Sequence, residues 1–118
     1  MTTADAERTR DAFLRSNEGR LSGAQVNISD LRAAMAASDV IAAANAAAKV
    51  GTSVREVAGI QSAYKSLCMR AEDTLSAHRD SAEADAAEQA KVNARMDAIH
   101  ARLVEAEAAY AAWQGAGK

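Results

Sequence analysis

The sequence has no proline, one cysteine, six glycines and only four aromatic residues, one Trp, one Phe and two Tyr. With turn formers this sparse, β-sandwiches, barrels and βαβ folds are excluded. A single cysteine rules out an intramolecular disulfide framework and fits a reducing, cytoplasmic setting. Bulky apolar side chains are also scarce. Leu, Ile, Val and Phe together number 18 of 118 residues, low for a chain that must bury a compact core by itself. No apolar run approaches the roughly 20 residues of a membrane span, and no charged-then-apolar start suggests a signal peptide, so no membrane partner is expected. The formal net charge of −2 points neither to a nucleic-acid polycation nor to an acidic disordered tail.

What is present in quantity is alanine, at 32 positions. Ala, Glu, Lys, Leu and Arg fill 60 of 118 positions, the composition of long helices and coiled coils. The expected fold class is all-α. Residues 1–28 read as an N-terminal helical arm and connector. Thr3 or Asp5 caps the arm, and Phe13 and Leu14 anchor it. Asn17, Gly19, Ser22 and Gly23 interrupt it, so 17–28 is expected to be the connector. Residues 29–114 read as a helical hairpin or coiled-coil domain, and 115–118 as a frayed tail.

Within that domain, Asn27 or Ser29 opens a helix whose face carries Leu31, Met35, Ser38, Ala42 and Asn45. Gly51 is placed to stop it as a left-handed residue after Lys49. Ser53 and Glu56 have capping-box spacing, predicting a new helix immediately after this corner. From Val54 to Trp113 a three-and-four spacing persists through Val57, Gln61, Tyr64, Cys68, Ala71, Leu75, His78, Ala82, Asp85 and Gln89. It continues through Val92, Met96, Ile99, Leu103, Ala106, Tyr110 and Trp113. A seven-residue apolar repeat of this length predicts one long coiled-coil helix. The alternative is a break near Arg79–Ser81, with Asp80 and Glu83 as the new cap, giving a four-helix bundle.

The stripe of Val92, Met96, Ile99, Leu103, Tyr110 and Trp113 cannot be buried by a lone helix. It is therefore the expected interface with a second copy, most simply a dimer, or with another helical protein. A second pattern resembles a helix-turn-helix, the DNA-binding family. Ala47, Gly51, Ser53, Val57 and Ile60 stand at its spacing, which would offer Lys49, Arg55, Gln61 and Lys65 to nucleic acid. Trp113-Gln114-Gly115 is similar to the Trp-x-Gly of small secreted helical-hairpin proteins of the ESX type, where the motif sits in a mid-chain turn.

Chemistry-bearing residues are dispersed. Asp97 and His100 are one turn apart, but a di-iron bundle needs a second such motif and more carboxylates. Cys68 has no His within two turns and reads as a small core residue, with Met35, Met69 and Met96 as gap fillers. No catalytic constellation, cofactor or metal is expected. The functional expectation is a non-enzymatic assembly or adaptor protein of scaffold, chaperone or inhibitor type, including phage or mobile-element products. The alternative is a small DNA-binding protein with an oligomerisation helix.

Overall fold

The computed structural model describes residues 3–76 and 79–116, apart from the side chains of 3, 4, 6, 70–76, 79–82, 84 and 85. These residues form three helices, α1 (Thr3–Ala36), α2 (Val40–Ser76) and α3 (Arg79–Ala116), each packed against both others. The fold is all-α. At 34, 37 and 38 residues the helices are nearly equal in length, about 51–57 Å at the usual rise, which matches the 60 Å long axis of the molecule.

Cross-links between side chains fix the register. Asn27 Nδ2 donates to Ser53 Oγ at 2.9 Å, tying α1 to α2, while Gln61 Nε2 donates to Asp97 Oδ1, tying α2 to α3. Arg95 donates both terminal nitrogens to the Glu18 carboxylate at 2.6 and 2.7 Å, tying α3 to α1. With Gly51 beside Glu107, these ties make α2 antiparallel to both neighbours and α1 parallel to α3.

The buried positions repeat every seven residues in all three helices. On that repeat lie Arg10, Asn17, Leu21, Ala24, Ile28 and Leu31 of α1, with Ala34 buried beyond it. In α2 it holds Ala43, Ala46, Val50, Ser53, Val57, Ile60 and Tyr64, with Cys68 buried one turn further on. In α3 it holds Met96, Ile99, Leu103 and Ala106. Each helix therefore turns one narrow stripe inward, as a three-helix arrangement requires. Alanine on that stripe lets the helices approach closely, which is how a chain poor in bulky side chains still closes a core.

Three expectations are corrected. First, the connector at 17–28 is absent, because α1 runs unbroken through Gly19 and Gly23 with Leu21, Ala24 and Ile28 in the core. Two interior glycines cost a helix about 1 kcal/mol each. Burying Leu21 and Ile28 returns about 1.5–3 kcal/mol apiece, so the helix wins. Second, there is no corner at Gly51. No glycine among the described residues has positive φ, and α2 continues through residue 51 because Val50 and Val57 share one buried face. Ser53 caps nothing; it sits mid-helix, bonded across to Asn27.

Third, the helix expected across 29–51 is divided at Ser38-Asp39. Asp39 N–H donates to Ala34 O at 2.9 Å and Ser38 N–H to Met35 O at 3.0 Å, with Ser38 at φ 55°. That is the Schellman closure, with serine where glycine is commonest. Asp39 then caps α2, its Oδ1 accepting from Ala42 N–H at 3.1 Å. Likewise the single helix over 54–113 is two helices, α2 ending at Ser76 and α3 starting at Arg79 and running antiparallel to it. Among the described residues there are three helices, not the four of the alternative. Seam assignments at Ala71, Leu75, His78, Ala82 and Asp85, and the tail residues Gly117 and Lys118, lie outside the residues described.

Candidate functional site

The stripe expected to face a partner is turned inward. Met96, Ile99 and Leu103 are buried with Leu21, Ile28, Val50 and Val57 of the same chain, and Val92, Tyr110 and Trp113 are half-buried against that core. The expectation assumed that α3 had no internal neighbour; α1 and α2 supply two. A contact surface has to be sought on the outer faces.

Lys49, Arg55 and Lys65 are exposed on α2, while Gln61 is half-buried and donates to Asp97. The turn that would set a reading helix against a supporting helix does not exist in the continuous α2. Asp97 is engaged with Gln61, and no group of three or more His, Cys, Asp or Glu side chains converges among the described residues. The Trp113-Gln114-Gly115 segment is helical, within α3, rather than in a turn. Met96 and Met35 pack as expected, but Met69 is exposed on the outside of α2.

Three features stand out in their place. The first is one end of the bundle, where α1 ends, α2 begins and α3 finishes. Val40 and Ile41 are 67% and 77% exposed there, among the most exposed large apolar side chains described. At the same end the Tyr110 and Trp113 rings stack with centroids 6.0 Å apart and planes 29° apart. Gln114 Nε2 donates to Tyr110 Oη at 3.0 Å, holding that ring's polar tip at the surface.

The second feature is a pair of open grooves walled by α1 and α2. One, about 250 Å³, has Phe13, Gly59, Ile60 and Ala63 on its floor with Arg20 and Arg55 at its edges. The other, about 260 Å³, surrounds the Asn27–Ser53 bond and is bordered by Lys49, Thr52 and Glu56.

The third is polar burial at the opposite end of the bundle. Arg10 and Asn17 are buried on α1, where the positions that continue the same seven-residue repeat are Ala24 and Leu31. The Tyr64 hydroxyl and Asn93 Oδ1 are buried without a hydrogen-bond partner. Burial pushes the Tyr64 phenol above its usual range, with Cys68, one turn on, adding to the shift. Glu18, by contrast, is held below the ordinary carboxylate value by its hydrogen bonds from Arg95. A polar layer inside a helical bundle is not anticipated from the sequence, where Asn17 falls in a connector and Arg10 is given no role. The signal was available in their seven-residue separation.

No protein-family model, no curated protein and no solved structure matches this chain.

Proposed function

We propose that this chain is a helical adaptor or assembly protein that engages a partner helix, or a second copy of itself, at the end of the bundle where Val40, Ile41, Tyr110 and Trp113 lie. The observation that carries this reading is the pairing of two strongly exposed aliphatic side chains with a stacked aromatic pair at that end. Exposed Val and Ile gain nothing from water, and Trp and Tyr are the residues most enriched among binding hot spots. Val26, Met69 and Val104 are exposed singly on other faces, a pattern that needs no functional explanation. Three helices of equal length make a stiff rod, which suits a part that holds two others at a fixed spacing.

The test compares the parent protein with Ile41→Asp, with Trp113→Ala, and with Val26→Asp as a control on a remote face. Self-association is followed by sedimentation velocity, and retention of a partner by tagged protein in extract of the native host. Ile41→Asp is expected to lose association while its melt stays near the parent's. Trp113→Ala is expected to lose association together with some stability, because the indole is half-buried against the core, and Val26→Asp is expected to keep association. Equal behaviour of all four proteins would remove this end of the bundle as the contact surface.

A further inference from the structure

We propose that residues 3–17 of α1 form a strap that lifts from α2 and α3 as one cooperative unit, hinged over Glu18–Gly23, while the rest of the bundle stays folded. Three independent observations converge on that boundary.

The first is a division of the core. On the far side of Asn17, α1 contributes Leu21, Ala24, Ile28 and Leu31, which meet Val50, Val57, Ile60, Met96, Ile99 and Leu103 in an interior where the buried polar side chain, Ser53, is satisfied by Asn27. On the near side it contributes Arg10 and Asn17, and its large apolar side chains there, Phe13 and Leu14, are only half-buried. Burying a guanidinium or an amide carries a desolvation cost that apolar neighbours do not have, even where partners are found. Asn17 spends its amide locally, donating to Phe13 O at 2.9 Å and accepting from Arg20 at 3.2 Å, so it ties α1 to itself and not to α2 or α3.

The second observation lies across from the strap. The register that joins Glu18 to Arg95 and Gln61 to Asp97 puts Tyr64 and Asn93 at the strap's level, and both bury an oxygen that no donor meets. Lifting the strap gives these groups to water, so part of the apolar area lost is offset. Opening costs less here than anywhere along the apolar half.

The third is the hinge. A Cβ built at Gly19 or at Gly23 meets nothing within 4 Å, so no packing contact explains glycine at either position. Two glycines in five residues weaken the helix at the junction between the polar and apolar parts. Beside them, the Glu18–Arg95 pair holds the hinge to α3 rather than the strap's free end.

Native-state hydrogen exchange on the full chain tests this, together with alkylation of Cys68, the single cysteine, which is buried at the strap's level. Amides of residues 7–17 are expected to share one opening equilibrium, at least about tenfold more populated than opening at residues 24–31. Cys68 is expected to be alkylated faster than global unfolding allows. Asn17→Leu, which continues the apolar stripe, is expected to slow exchange across the whole of 7–17 by about tenfold or more, beyond its effect at 24–31. The Gly19→Ala, Gly23→Ala double variant should act in the same direction if Asn17→Leu does not fold. Protection that rises gradually from the terminus would mean ordinary fraying and would overturn the proposal. So would Cys68 alkylation that tracks global unfolding in every variant.

Discussion

Ser38 is the one non-glycine residue with positive φ in the described chain, at 55°. An L side chain in this region is strained against its own backbone, and glycine is not. Ser38 is also exposed, so its hydroxyl buries nothing. Ser38→Gly is therefore expected to raise stability by about 0.5–1 kcal/mol, read from the urea midpoint at constant m. The Glu18–Arg95 pair makes a different kind of statement. Hydrogen bonds from Arg95 depress the Glu18 pKa, so the pair's contribution is present above the ordinary carboxylate value of 4.5 and is lost as pH falls through the lowered one. Because the side chains are 43% and 50% exposed, solvent screening holds that contribution to about 1 kcal/mol or less. Glu18→Gln should accordingly cost up to about that much at neutral pH and nothing measurable in acid. Denaturant melts of both proteins at the two pH values check it.

At the scale of the element, the question is what ends a helix. Glycine does not do so here: Gly19, Gly23, Gly51 and Gly59 are all inside helices. A helix stops where a cap can satisfy its orphan groups and where the buried stripe has finished, and Ser38-Asp39 meets both conditions. Gly51 remains a weak point that packing overrules. A Cβ there would lie 3.7 Å from Glu107 Oε2, an ordinary contact, so Gly51→Ala is expected to add about 0.5–1 kcal/mol to stability. A corner with a left-handed residue 51 would lose stability on the same change, so the sign of the shift in a thermal melt separates the two architectures. Asp39→Ala should cost about 1 kcal/mol through loss of the α2 cap, with no change in helix content beyond the first turn.

For the whole molecule, the decisive fact is that α3 finds its apolar partners within its own chain. Leu103 is fully buried there, and Leu103→Ala is expected to cost about 2–5 kcal/mol. The loss should not depend on protein concentration, since Leu103 is fully buried by its own chain; a melt that shifted with concentration would put Leu103 in an intermolecular seam instead. Shape gives a second check. The radius of gyration is 18.0 Å over Cα atoms. A spherical globule of this length would give about 13–14 Å. A single 60-residue helix would by itself span about 90 Å. Small-angle scattering of the monomer should fall near the first value.

The sequence by itself determined that the chain is all helix and which residues of its last third share a stripe. Composition dominated by alanine leaves no other regular structure open. The seven-residue recurrence of Met96, Ile99, Leu103 and Tyr110 is a local property that survives whatever the partner is. It did not determine where the helices end or what covers the stripe. Periodicity in one helix says that a face must be buried, never against which chain. The choice between Gly51 and Ser38-Asp39 as a break turns on whether Val50 and Val57 gain more from one straight helix than glycine costs it. That balance exists only once α1 lies alongside. The same holds for the polar layer: Arg10 and Asn17 are far in sequence from Tyr64 and Asn93, and only the register of α1 and α3 against the antiparallel α2 brings the four to one end.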